Sequence, residues 1–409
     1  MIWQFASRYF RAKKSTNAIN IIAWVSVSAI AVGAGALIII LSVFNGFEGL
    51  VKSLYSTFYP SVKVSAVSGK SIVLTPAQLK QIAGVKGVAF MTEVVEEKAV
   101  LRYGQGDQTI AILKGVDSNY NKVAAVDKSM SRGKFDTGEE SQGYNAILGL
   151  ELEMALGVDV QRDLTPISVY LPRRNVSSVT TPEDALSSGI LYPAGSFNIQ
   201  QEFNSKYVLT NIAFMRGLLG MGEDEMSALE VKGTPGLDDK VLKRRLGQVL
   251  GPQYTIQTRY EQNQALYAIM QTERWAVYVI MSFILVIAAF NMIGSLYMLV
   301  MEKQKDITIL KAMGARPQLI TRIFLAEGMI IAGLGTLIGF GISITFCLLQ
   351  QHFGLIRLEE ESFLVNAYPV SMQFSDFVLV CVTIVVIGGA ASWYPARRAG
   401  REQIALKAT

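Results

Sequence analysis

Four apolar runs, at residues 19–44, 276–301, 323–349 and 374–394, constrain this chain more than anything else in it. Each has the roughly 20 residues that a helix needs to cross a bilayer core. The expected fold class is therefore an integral membrane α-helical protein with four transmembrane helices. More than 200 residues separate the first run from the second, enough to bury a core of their own without disulfides. Only 17% of the chain is charged, against about 25% in an average soluble domain.

The first run begins like a signal peptide, with Arg8, Arg11, Lys13 and Lys14 ahead of it and Ala-x-Ala triplets inside it. It continues past those triplets to Phe44, longer than a signal h-region, and reads as an uncleaved anchor. Basic residues then orient the bundle. The tail 1–18 is basic, the 302–322 loop holds Lys303, Lys305, Lys311, Arg316 and Arg322, and the 395–409 tail holds Arg397, Arg398, Arg401 and Lys407. The 350–373 loop is acidic, with Glu359, Glu360 and Glu361. The positive-inside rule puts both termini and the 302–322 loop in the cytoplasm, which leaves 45–275 and 350–373 outside. The +5 net charge sits in these clusters beside the spans, so it does not point to nucleic acid.

The outer segment reads as an α+β domain with stalk extensions. Strands are expected at 62–67, 88–103, 109–116, 166–171, 197–203, 228–232 and 254–258, and helices after Thr75-Pro76 and at 146–156, 211–219 and 237–250. Residues 172–197, with three prolines, two glycines and five serines, predict a projecting loop or hairpin. Beyond the first span, Phe47, Val51, Leu54 and Phe58 recur at helical spacing; Leu266, Ile269, Met270 and Val277 do the same before the second. These amphipathic stalks either pack on each other or wall an apolar cavity.

No catalytic constellation stands out. Ser68-Gly69-Lys70-Ser71 lacks the earlier glycine of a phosphate-binding loop, since Val64 stands there. Gly104-x-Gly106 lacks the third glycine of a dinucleotide site, the single His352 borders an apolar run, and Cys347 and Cys381 both lie within spans. No metal, cofactor or enzymatic activity is expected in this chain; any ATP and Mg²⁺ belong to a separate ATPase. Small residues four apart, Ala29/Gly33, Ala31/Gly35 and Gly335/Gly339, with Gly388 to Ala391, predict close helix contacts. Asn291, inside the second span, is expected to hydrogen-bond between helices.

The segment after Met301 is more specific. Glu302, Lys303 and Lys305 lead into a short helix carrying Ile309, Leu310 and Met313; Gly314 permits a reversal and Pro317 suits the first turn of the next helix. Such a helix either lies on lipid or seats in a groove of a cytoplasmic ATPase.

Several stretches resemble one family. Val43-Phe44-Asn45-Gly46-Phe47-Glu48, Phe290-Asn291-Met292-Ile293 through Met301-Glu302-Lys303-Gln304, Ile309-Leu310-Lys311-Ala312-Met313-Gly314-Ala315 and Tyr394-Pro395-Ala396-Arg397-Arg398-Ala399 resemble motifs of lipoprotein-releasing (Lol) system transmembrane permeases, LolC/LolE-like, within the FtsX-like/MacB-type ABC permease superfamily. The resemblance implies a subunit that extracts lipoproteins from the outer leaflet of the bacterial inner membrane. It implies a second permease subunit, identical or homologous, a LolD-like cytoplasmic ATPase and a LolA-like periplasmic carrier. Phe44, Phe47, Val51 and Leu54 would line the lipoprotein cavity, with Leu266 and Met270 opposite, and the 172–197 hairpin, with Arg173, Arg174, Leu191 and Tyr192, would meet the carrier. Two alternatives stand beside it. A MacB-type efflux permease usually carries an ATPase fused ahead of its first span, where this chain has an 18-residue lead; an FtsX-like regulator of cell-wall hydrolases has a much smaller outer domain.

Overall fold

The computed structural model describes residues 17–104, 106, 108–141, 143–161, 165–173, 186–357 and 367–401. The basic lead through Lys14, the acidic residues 359–361, Arg174 and the tail beyond Arg401 lie outside the described residues. Two compact units emerge: a membrane unit up to Leu50 and from Ala268 onward, and an inserted unit, Val51–Tyr267.

In chain order the helices are α1 (Asn17–Phe58), α2 (Pro76–Ala83), α3 (Tyr120–Val123), α4 (Leu150–Leu156), α5 (Gln201–Asn204), α6 (Ile212–Leu219), α7 (Asp239–Leu250), α8 (Arg259–Gln262), α9 (Gln264–Glu302), α10 (Gln304–Ala312), α11 (Pro317–Phe353) and α12 (Phe374–Arg401). Among the described residues α1, α9, α11 and α12 are long and apolar enough to cross a membrane. With 42 and 39 residues, α1 and α9 are each about 60 Å long at 1.5 Å per residue, twice the roughly 30 Å hydrocarbon core. Both expected stalks are thus unbroken continuations of spans.

Within the membrane unit α1 is the most buried of the four spans and α9 the least. Val27, Ala34, Leu37, Ile38 and Leu41 form a core with Leu285, Ala289 and Met292 of α9, Ile331 and Ala332 of α11, and Val380 and Ile384 of α12. The small residues work as their spacing predicts. A Cβ on Gly339 would stand 2.5 Å from the carbonyl oxygen of Ala31, and one on Gly335 would stand 2.8 Å from Cβ of Ile30. The α1 and α11 backbones therefore meet directly, a contact that any larger side chain would wedge apart.

The inserted unit has thirteen strands among the described residues: β1 (Val62–Ala66), β2 (Ile72–Val73), β3 (Val88–Tyr103), β4 (Gln108–Val116), β5 (Met130–Gly133), β6 (Gly138–Glu139), β7 (Gly143–Gly149), β8 (Ile167–Pro172), β9 (Leu186–Phe197), β10 (Tyr207–Asn211), β11 (Glu225–Met226), β12 (Ala228–Gly233) and β13 (Tyr254–Thr258). The main sheet runs β13-β1-β12-β3-β4-β10-β7-β9-β5, with β8 joining β3 to β9. Pairs β10/β4 and β7/β9 are parallel and the others in this sheet antiparallel. Local chemistry starts the helices where the sequence predicts. Thr75 and Gln78 form a reciprocal capping box with Pro76 at N1, and Asn211 and Asp238 accept from the backbone of Ala213 and Lys240.

Two expectations fail. The predicted helix 146–156 begins only at Leu150, because Gly143–Gly149 is a strand between β10 and β9. Ala146, Ile147 and Leu148 are all buried, and a short apolar run buried on both faces carries no period that separates strand from helix. The predicted strand 197–203 is the end of β9 followed by α5, whose Phe203 packs on Phe58 with ring centroids 4.5 Å apart. Strands β10 and β5 of the main sheet went unpredicted, as did the two-residue strands β2, β6 and β11.

Candidate functional site

A three-helix clamp closes one end of the membrane unit, built on the Asn45-Gly46 motif. The buried carboxylate of Asp376, at the start of α12, accepts from Nδ2 of Asn45 in α1 at 2.5 Å and from Arg274 of α9 at 2.8 Å. Asn45 Nδ2 also reaches the carbonyl of Ser371 at 3.3 Å. Gly46 follows because a Cβ there would lie 2.2 Å from the carbonyl oxygen of Pro369. Gln350, buried in α11, holds the same end: its amide donates to the carbonyls of Ile356 and Tyr368 and accepts from the Ile356 N–H. None of this pairing was read from the sequence. A lone acid beside an apolar run was the available signal for Asp376, and the same signal marks Glu327, which is buried in α11 with neither carboxyl oxygen hydrogen-bonded among the described residues.

Substitution at two neighbouring glycines separates packing from propensity. Gly46→Val should lower the SDS-unfolding free energy of the detergent-solubilised protein by about 1–3 kcal/mol through overpacking. Gly49→Val, three residues on with nothing within 4 Å of its Cβ position, should be neutral. Equal effects would remove the close-approach account of Gly46.

At the connection between α9 and α11, Lys303 breaks the helix and pairs with Asp306 at 3.6 Å. Helix α10 docks by Ile307, which is buried with Leu299, Val300, Ile320, Phe324, Ala396 and Ala399; the sequence reading overlooked it. Ile309 and Met313 are 57% and 71% exposed, an apolar pair left on the surface. Leu310 is half-buried, while Glu302 and Lys305 are exposed. The expected reversal is a Schellman cap: the Ala315 N–H donates to the Leu310 carbonyl and the Gly314 N–H to that of Lys311, with Gly314 at φ +90°.

The six residues expected to line a cavity are divided between the units. Phe44, Phe47 and Met270 fall in the membrane unit, and Val51, Leu54 and Leu266 in the inserted unit. Val51 and Leu54 are buried and the other four half-buried. The exposed apolar residues of α9 instead include Ile269, Val279, Ile280, Phe283, Ile287 and Phe290. Asn291 shares this exposure; its backbone carbonyl, 3.4 Å from the Ser26 hydroxyl, is the group that meets α1, rather than the expected side-chain amide.

Of the hairpin residues, Arg173 is exposed just after β8 and Tyr192 is 42% exposed on β9. Leu191 must be withdrawn as a docking residue. Side chains alternate along β9, and Leu191 points into the core with Val169, Leu171 and Phe214.

The inserted unit encloses a charge cluster on one sheet face. Lys114 of β4 lies 2.7 Å from Glu230 of β12 and 3.2 Å from Glu96 of β3, and Glu96 also pairs with Lys63 of β1 at 3.0 Å. The Lys114 ammonium stands 4.8 Å from the centre of the Phe58 ring and 5.1 Å from that of Tyr120. Burial alone would lower the Lys114 pKa, but Glu230, Tyr120 and Glu96 hold it well above its ordinary value. Burial alone would raise Glu96, but Lys63 and Lys114 outweigh it and hold the carboxyl down to about 2.

Long spans around a glycine seam, an α+β domain inserted after the first span, and a short amphipathic helix with an exposed apolar pair between the second and third are the features of a multi-pass membrane permease. Residues 278–404 match the FtsX-like permease C-terminal domain, and residues 23–170 match the MacB-like periplasmic core domain. The lipoprotein-releasing system transmembrane protein LolC of Xylella fastidiosa is 27% identical over 413 residues, covering 97% of this chain and 95% of its own. LolE of Haemophilus influenzae is 26% identical over 425 residues, with 97% and 96% covered. The solved periplasmic region of MacB from Actinobacillus actinomycetemcomitans covers 54% of this chain and 98% of its own, at TM-score 0.37 and 11% identity. The chain thus joins a stretch like the MacB-like periplasmic core domain to one like the FtsX-like permease C-terminal domain, and it is LolC/LolE-like over nearly its whole length.

Proposed function

We propose that this chain is the permease subunit of an ABC transporter that extracts lipoproteins from the outer leaflet of the bacterial inner membrane and hands them to a periplasmic carrier, driven by a separate cytoplasmic ATPase. The carrying observation is collinearity: LolC and LolE relatives match across 97% of the chain, inserted domain included. The basic clusters support an orientation with both termini and α10 in the cytoplasm. On that orientation Ile309 and Met313, exposed on a helix anchored by Ile307, present an apolar knob to a LolD-like ATPase, which supplies the site for ATP and Mg²⁺. The exposed face of α9, with Asn291 among its apolar residues, faces the second permease subunit. Phe44, Phe47, Leu266 and Met270, all half-buried, line the lipid path, with Val51 and Leu54 packed behind them in the chain's own interior, and Arg173 and Tyr192 are the residues offered to a LolA-like carrier.

The energetics favour an ATP-driven, shielded path. Each acyl CH₂ drawn into water costs about 0.8 kcal/mol, so a lipid anchor of tens of methylenes does not leave the bilayer unaided. Reconstituted with its ATPase, the permease should release an acylated lipoprotein to soluble carrier only when ATP is present; release that is independent of ATP would end this reading. Ile309→Asp/Met313→Asp should cut ATPase co-purification at least about tenfold, since exposed apolar anchors dominate interface energy. A normal subunit ratio would separate α10 from the ATPase.

A further inference from the structure

Strand β13 is the open edge of the main sheet, and among the described residues it pairs with β1 alone. Its register sets Val62 opposite Thr258, and the Arg259 N–H donates to the Ser61 carbonyl. By antiparallel alternation the backbone groups of Thr255 and Gln257 turn toward β1, and those of Tyr254 and Ile256 turn outward. Thr258 also faces outward, but its N–H is already taken by Glu261 at 2.9 Å. Exposed edges of this kind accept an added strand unless something covers them.

Beside that edge lies a groove of about 470 Å³, lined by Lys240, Lys243, Arg244, Gly247 and Gly251 of the α7 segment and by Tyr254 and Ile256. The α7 residues fall at helical spacing on one flank, while Leu242, Leu246 and Leu250 on another flank enter the core. Lys243 is paired with Glu261 at 2.7 Å; Lys240 and Arg244, one turn apart, are exposed. Gly247 sits inside α7, where glycine is the poorest residue short of proline. Packing does not demand it, since a Cβ there would make ordinary contact with Ile256 at 3.8 Å. What the missing side chain leaves is the floor of the groove.

We propose that this groove binds an extended acidic polypeptide segment, which adds as a strand to β13 while its carboxylates meet Lys240 and Arg244. The backbone of Tyr254 and Ile256 supplies the ladder and the basic flank supplies the preference for acidic sequence, the two parts of recognition by strand addition. Nothing in this site depends on the lipoprotein reading.

The test uses the full-length protein in neutral detergent and a fluorescein-labelled octapeptide, Glu-Val-Glu-Thr-Glu-Val-Glu-Thr, followed by anisotropy. Saturable binding is expected, with the Lys-Val-Lys-Thr counterpart at least tenfold weaker. N-methylation of alternate peptide residues, which removes ladder donors, should weaken binding at least tenfold. Gly247→Met should do the same by filling the floor while leaving the thermal unfolding midpoint unchanged or higher, and Lys240→Glu/Arg244→Glu should favour the basic peptide. Unchanged affinity of the N-methylated peptide would overturn strand addition. Displacement of the peptide by phosphatidylglycerol vesicles, with N-methylation still without effect, would assign the basic flank to lipid headgroups and overturn the proposal.

Discussion

Lys114→Met is expected to destabilise the inserted unit by about 3–5 kcal/mol, because it leaves buried Glu230 without its cation. The readout is native-state hydrogen exchange of β3 and β4 amides in the full-length protein, where protection should fall roughly a hundred- to several-thousand-fold. Methionine keeps the length of the side chain against Phe58 and Tyr120, so lost packing contributes little. Lys114→Met/Glu230→Met should recover most of the loss, since an apolar pair of similar volume replaces a buried ion pair at little cost and Glu96 keeps Lys63. A double variant as unstable as the single one would refute the electrostatic account.

The same cluster sets a pH dependence of defined sign. Glu96 is held below its ordinary 4.5, at about 2, so its contribution is complete above about pH 4.5 and is lost as pH falls toward 2. Lys114 is held above its ordinary 10.5, so its contribution is complete below that value and is lost only as pH rises through the higher folded value. Between these limits the cluster contributes a flat region. Protection of β3 and β4 should therefore drop on acidification well before any loss on the alkaline side of neutrality.

The second large effect is expected at the clamp. In a double-mutant cycle of Arg274→Ala and Asp376→Ala, followed by SDS unfolding, the coupling energy should be about 2–3 kcal/mol. Asp376 is 2% exposed and receives both Arg274 and Asn45, so removing it takes the carboxylate from the partly exposed Arg274 and leaves the buried Asn45 amide with only the Ser371 carbonyl. Arg274→Ala alone should cost less than Asp376→Ala, because Asn45 still satisfies part of the carboxylate. Additive single effects, with coupling under about 0.5 kcal/mol, would reduce the clamp to a geometric coincidence.

How much of this was legible beforehand follows from the range of each interaction. The spans, the Thr75-Pro76 helix start, strands β3 and β4 and the Gly314 reversal are local patterns, and the sequence shows them. Strand β7 was misread because Ala146, Ile147 and Leu148 are buried on both faces, which erases periodicity. Leu191 was misassigned because neighbours on a strand face opposite sides, and which side is the core depends on β8. The clamp and the charge cluster were invisible for another reason: Asn45 and Asp376 are 331 positions apart, and Lys114 and Glu230 are 116 apart. The α10 helix was half legible. Its exposed pair was named, but the buried Ile307 that fixes which side faces outward was not.

The glycine seam between α1 and α11 also carries a consequence for biogenesis. Gly35 and Gly339 touch backbone to backbone, yet about 300 residues separate them in the chain. At a synthesis rate of about 5–20 residues per second, α1 is in the membrane for on the order of 15–60 s before its partner exists. During that interval lipid tails must occupy the notch that Ala31, Ala34 and Gly35 reserve for α11. The seam then forms by displacing lipid rather than water, a step driven by van der Waals fit. Shape, more than hydrophobicity, thus decides whether the newly made chain closes correctly.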